Sequence, residues 1–206
     1  MKRLNTFQPV AFAAAVVVMS FLSVPTFAQP VAESPAATPA GTVTTFHRKS
    51  SGSLGTFDGP VVWTFTHATW EGRPAVIQMA RLGGSAFDPK THANMATLDA
   101  EGKATMVFEP PVGFQWPMQV GKTWTSKHTV TTPATGRSVP LEVNWKVEAW
   151  EDVTVPAGTY KAYKVVTTNN FGEVETRWTA PAAGIVLAKR LVTRPASHPQ
   201  GAGELE

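Results

Sequence analysis

The sequence predicts an all-β domain, an antiparallel barrel or open clam of about ten strands joined by hairpins. Three observations predict it. Segments dense in β-branched and aromatic residues recur at roughly 8–12-residue spacing, with turn residues between them. One of them, residues 141–149, alternates apolar and polar side chains strictly. Beyond the N-terminal region, no window of about 12 residues carries the 3.6 period of an amphipathic helix.

The first element is a leader rather than part of the fold. Lys2 and Arg3 precede an apolar run from Val10 to Leu22, and Pro25-Thr-Phe-Ala28 follows as a helix break with small residues. That is the layout of a secretory signal peptide, residues 1–28, cut after Ala28. No cysteine follows it to carry a lipid, and no later segment is apolar enough to span a bilayer as a helix. Residues 29–41 are rich in Pro, Ala, Ser and Thr without hydrophobic period, and read as a disordered or extended linker. Residues 42–206 form a single all-β domain of ordinary size. The expected address is periplasmic or secreted. Without cysteines, an exported domain must be held by its core.

The charge balance excludes one function class. The chain has 18 basic and 15 acidic side chains, two of the basic ones in the leader, so the mature protein is near neutral at about +1. The charges alternate in sign and form no basic stripe, which argues against a nucleic-acid partner.

The strands follow in order. Val61–Trp70 is separated from Arg73–Arg81 by Glu71-Gly72, a hairpin break. Met95–Asp99 and Lys103–Phe108 flank a turn at Ala100-Glu-Gly102. Glu109–Pro117 contains three prolines and reads as an ordered loop, because proline cannot donate to a ladder. Lys122–Thr132 and 141–149 come next. In the latter, Leu141, Val143, Trp145, Val147 and Ala149 share one face. Trp150, Glu151 and Asp152 interrupt that alternation, which predicts a bulge. Val155-Pro-Ala-Gly158 predicts a type I turn with a glycine bulge, pairing Val155 with Thr159. Glu173–Thr179, Ile185–Thr193 and a short closing strand at 203–206 end the chain.

Three of these pieces carry a resemblance. They are Trp116-Pro-Met-Gln-Val-Gly-Lys-Thr-Trp124, Val155-Pro-Ala-Gly-Thr-Tyr-Lys-Ala-Tyr-Lys-Val165 and Arg177-Trp-Thr-Ala-Pro-Ala-Ala-Gly-Ile-Val186. Together with Glu204-Leu205 they resemble, in order and spacing, the TapB-like family of exported bacterial proteins, a domain of unknown function. The resemblance covers residues 113–206 and departs from the family at Ala180, near a position where Tyr is expected. It implies an exported barrel-like or clam-like β domain and supplies no catalytic residues.

The residues offer no catalytic set. The five histidines, His47, His67, His92, His128 and His198, show no metal-ligand spacing, so neither a metal nor a cofactor is expected. Gly83-Gly-Ser-Ala-Phe87 lacks the closing glycine of a nucleophile elbow and reads as a loop. Glu173, Glu175 and Arg177 alternate with Val174, Thr176 and Trp178, which reads as a solvated ion-paired face over a core face. Of the seven tryptophans, Trp63, Trp145 and Trp178 suit a core. Trp70, at a strand end, and Trp116, in the Pro-rich loop, are candidate ligand contacts, although plugging a barrel end is the preferred reading of Trp116. Lys164, on a face with Tyr160, Ala162 and Val166, is the third candidate, reaching into a cavity or snorkelling.

The leading expectation is a binding protein rather than an enzyme, for an amphiphilic or cell-envelope ligand. The partner classes are a lipid, a glycan or an envelope protein. One alternative is a glycan hydrolase using acids among Glu151, Asp152 and Glu173, which would need two carboxyls about 5–10 Å apart. The other is an assembly partner that offers a free strand edge.

Overall fold

The computed structural model describes residues 30–206, so the expected signal peptide lies outside the described residues. Twelve strands follow one another: β1 (Val43–Gly52), β2 (Phe57–Trp70), β3 (Arg73–Ala80), β4 (Gly83–Phe87), β5 (Asn94–Leu98), β6 (Ala104–Val112), β7 (Thr123–Thr132), β8 (Arg137–Val155), β9 (Gly158–Asn169), β10 (Val174–Ala180), β11 (Ile185–Arg194) and β12 (Gly203–Leu205). Each pairs antiparallel with its neighbour in sequence, and β12 pairs with β1 to close the barrel. The ring is an up-and-down meander whose closure is short: β12 pairs only with Ser50–Gly52 of β1 and Val192–Arg194 of β11, so Val43–Arg48 of β1 has β2 as its one strand partner among the described residues.

Two strands replace expected loops. Gly83–Phe87 is β4, seated between β3 and β5. A Cβ on Gly84 would stand 2.0 Å from the Gln78 carbonyl oxygen, so the strand depends on the glycine that made it look like a loop. β6 runs on through Pro110 and Pro111 to Val112. It can do so because its ladder with β7 ends at Glu109, leaving the prolines without a donor to supply on that side.

The β8–β9 hairpin is the longest pair. The bulge falls between Val147 and Ala149, just ahead of the predicted place. It reverses the parity of β8: Val143, Trp145 and Val147 point inward before it, whereas Trp150 points inward after it and packs against Tyr163 with ring centroids 4.5 Å apart and tilted by 49°. At the tip, Val155 pairs with Gly158 and Thr154 with Thr159. The expected Val155–Thr159 pair is therefore replaced by a two-residue loop, Pro156-Ala157, with Gly158 at φ 138°. At Glu71-Gly72 the two-residue hairpin forms as expected, with φ of 46° and 77°.

One end of the bore is filled. The connection 113–122 brings Phe114, Trp116, Met118 and Val120 against Val143, Trp145, Val147, Tyr163 and Val165. Pro30 and Ala32 join this plug. Ala32 and Met118 exchange two backbone hydrogen bonds of 3.0 and 2.8 Å, and the Tyr163 hydroxyl donates to the Pro30 carbonyl at 2.6 Å. These bonds tether the segment to the barrel. His67, on β2, lies exposed and bonds the Thr38 carbonyl at 2.8 Å.

The outer face of β7 and β8 carries Thr125, Lys127, Thr129, Glu142, Asn144 and Lys146. That polarity is the reverse of the lipid-facing apolar band of membrane barrels. Among the described residues no helix is long and apolar enough to cross a membrane.

Candidate functional site

The open part of the bore is a cavity of about 490 Å³. Its position follows from register. Glu175 pairs with Thr167, and Arg177 with Val165, on the face that β9 turns inward. Glu173, Glu175 and Arg177 therefore face the interior, and Val174 is 40% exposed on the outside. This reverses the sequence expectation, which gave the charged face to water. Burial is possible because β11 supplies the missing partners.

Glu175 sits between two guanidiniums. Arg177 engages both of its carboxylate oxygens, and Arg190 donates from Nε to Oε1 at 2.5 Å. Burial alone would push the Glu175 carboxyl up, but the Arg177 and Arg190 charges outweigh it and hold it at about 2. Burial likewise works against the charge on Arg190, and Glu175 overcomes it, so the guanidinium titrates above its ordinary value. One step along, Arg194 donates from Nε to Glu173 at 2.5 Å and from Nη1 to Gln200 Oε1 at 2.7 Å. His198 stands in the same mouth, its ring edge-on to Phe171 at 6.0 Å. Burial first, and the Arg194 charge second, push its imidazole below the usual range, so it stays neutral at neutral pH.

The opposite wall is apolar, made by Met106 and Phe108 of β6 and Val139 and Leu141 of β8, with Phe171 beside them. Four arginines, Arg137, Arg177, Arg190 and Arg194, line the cavity against two glutamates, so it has an excess of positive charge. The Arg137 guanidinium has no ion-pair partner among the described residues. A greasy wall facing a guanidinium cluster can hold a molecule with an apolar body and an anionic head.

The three residues singled out from sequence lie elsewhere and apart. Lys164 is on the outer face, across from Trp178, and its ammonium pairs with Glu148 at 3.1 Å. Trp116 belongs to the plug and donates from its indole to the Thr91 carbonyl at 3.1 Å. Trp70 is half-buried near Arg73, whose guanidinium lies 5.7 Å from the ring. None of them lines the cavity. Trp145 is buried on the inner face as expected, whereas Trp178 packs on the outside with Val153, Ala162 and Ala180.

The carboxylates of the glycosidase reading are also separated. Glu151 accepts from the Trp178 indole at 2.8 Å, Asp152 pairs with Lys161 at 3.0 Å, and Glu173 is held by Arg194 inside. Among the described residues no three His, Asp or Glu side chains gather to hold a metal ion.

The polar cavity residues that sequence reasoning passed over include Arg137, Arg190, Arg194 and Gln200. One signal was available: the charged face of 173–177 is followed by a strand with Arg at 190 and 194, matching its spacing across a short hairpin. Fold and site together define a closed, twelve-stranded antiparallel barrel with a plugged end and a charged internal cavity. Comparison with protein-family models, with curated proteins and with solved structures finds no match.

Proposed function

We propose that this chain is an exported binding protein that holds an amphiphile inside the barrel, with its anionic head on the arginine cluster. The observation that carries the reading is the excess of arginine over glutamate in a cavity that also has an apolar wall. The volume of about 490 Å³ is that of a small-molecule site. Arg137 and Arg190 keep donors free for a carboxylate or phosphate, since Glu175 engages only the Nε of Arg190. The signal-like leader and the resemblance of residues 113–206 to TapB-like exported proteins support the address.

Trp145 lines the cavity, so its fluorescence reports occupancy. Titration with decanoate gives a saturable change, and decanol of the same chain length binds at least tenfold more weakly, the value of one charge-assisted hydrogen bond. Arg137→Gln and Arg190→Gln bring the acid down to the alcohol. Equal binding of acid and alcohol by the wild type would remove the anionic head from the reading. No saturable response to either would remove the cavity.

A further inference from the structure

A second cavity of about 380 Å³ lies beside the plug, and none of its lining residues is used by the ligand site above. We propose that Ser126 and His128, which line it, are a nucleophile and its general base, able to accept an acyl group from a small neutral carboxylic ester. This goes beyond the binding reading and does not depend on it.

The geometry starts from the strand. Ser126 and His128 are two residues apart on β7 and therefore share its inward face. The Ser126 hydroxyl lies 2.8 Å from His128 Nε2, and His128 Nδ1 lies 2.7 Å from the Pro110 carbonyl oxygen. A carbonyl only accepts, so Nδ1 carries the proton in this bond. In the neutral ring the Nε2 lone pair is then left facing the hydroxyl, and Ser126 donates to it. Hydroxyl, imidazole and a fixed acceptor behind the imidazole are the three parts of an activated serine, with a backbone oxygen in the place of the usual carboxylate. The prolines of β6 put that oxygen there, because β6 continues as strand past Glu109.

Two indoles complete the arrangement. Trp145 Nε1 donates to Ser126 Oγ at 2.9 Å, which pins the hydroxyl and leaves it a second lone pair. Trp124 shares the Ser126 face two residues earlier and also lines this cavity. Its Nε1–H is buried and has no acceptor among the described residues. A buried donor without a partner next to a serine–histidine pair is the type of group that stabilises a developing oxyanion. Pro111 and Phe114 bound the cavity, and no Lys or Arg lines it, which favours a neutral ester over an acidic one.

The step balances with water as co-reactant. Ser126 Oγ bonds to the ester carbonyl carbon, its proton passes to His128 Nε2, and the carbonyl electron pair moves onto oxygen. Collapse breaks the bond to the alcohol oxygen, which leaves with the proton from Nε2. Water then attacks the Ser126 ester in the same way, and the carboxylic acid departs.

The test uses p-nitrophenyl acetate and an alkyl fluorophosphonate on the full chain. The expected result is release of nitrophenolate and a single adduct that peptide mapping assigns to Ser126. His128→Gln slows labelling at least a hundredfold, the lower end of general-base contributions. Ser126→Ala abolishes the adduct, while Ser138→Ala, a hydroxyl that bonds Thr131, leaves it intact. Ser126→Cys keeps a nucleophile in place and acquires a thioester, which decides the matter if the alanine variant does not fold. An adduct mapped to any other residue overturns the proposal, as does a folded wild type that both reagents leave unmodified.

Discussion

Strands β8 and β10 stand two places apart in the ring and both alternate with a period of two, yet they enter the barrel with opposite polarity. β8 turns Val143, Trp145 and Val147 inward and Asn144 and Lys146 outward. β10 turns Glu175 and Arg177 inward and leaves Val174 40% exposed. The difference lies in what each meets. The inner face of β8 abuts the plug, whose Phe114, Trp116 and Met118 offer only apolar surface. The inner face of β10 lies beside the guanidiniums of the neighbouring strand β11, and both line an open cavity. Apolar groups fill the first space by excluding water, and the β10 charges survive in the second because Glu175 is paired with Arg177 and Arg190. Alternation thus marks two faces of a strand, and the neighbours decide which of them goes inside.

That contrast can be broken at either strand. Glu175→Leu leaves Arg177 and Arg190 facing each other without an anion and costs about 3–5 kcal/mol in urea unfolding, the penalty of breaking a buried ion pair from one side. If the charged face were a solvated one, the same change would be close to neutral. Met118→Ala removes a fully buried side chain from the plug and costs about 2–5 kcal/mol by the cavity it leaves.

Acid separates the two regions further. Folding lowers the Glu175 carboxyl from 4.5 to about 2, so between those values the unfolded chain binds more protons than the folded one. The stability from this group is complete above about pH 4.5, declines as pH falls, and is gone below about 2. Urea midpoints measured across that window fall steeply for wild type, and Glu175→Gln flattens the slope. Met118→Ala leaves the slope unchanged, since the plug residue does not titrate.

Smaller effects test the ends of the β8–β9 hairpin and the outer wall. Tyr163→Phe removes the hydrogen bond to Pro30 and costs about 1 kcal/mol. Gly158→Val costs about 1 kcal/mol or more, because φ is 138° there and the new Cβ would meet the Tyr160 hydroxyl at 3.4 Å. Val174→Thr, on the outer face of β10, changes the unfolding free energy by less than about 0.5 kcal/mol. A larger loss there would return Val174 to the core and reverse the polarity of the strand.

Much of the barrel was legible from local chemistry. Val61–Trp70, Arg73–Arg81 and 141–149 are strands because their branched and aromatic residues fit a pleated surface, and Glu71-Gly72 is a turn because it tolerates positive φ. The bulge after Val147 was visible as broken alternation. β4 was not legible, since Gly83-Gly84 looks like a loop until the Gln78 carbonyl is seen to occupy the place of a side chain. The candidate site was less legible than the fold. Glu173, Glu175 and Arg177 were recognised as one face, but Arg190, Arg194 and Gln200 lie on later segments and join them only across the sheet.

By itself, then, the sequence determined the all-β class, most strands and the positions of the principal turns. Each of these depends on residues within a few positions of one another, through backbone preference and the two-residue period. Closure by β12 on β1, the inward charges of β10, the docking of Pro30 and Ala32 and the meeting of Ser126, His128, Pro110 and Trp145 were decided by the tertiary structure alone. Those features join residues far apart in the chain. Their geometry comes from the register of the whole ring, and no local pattern carries it.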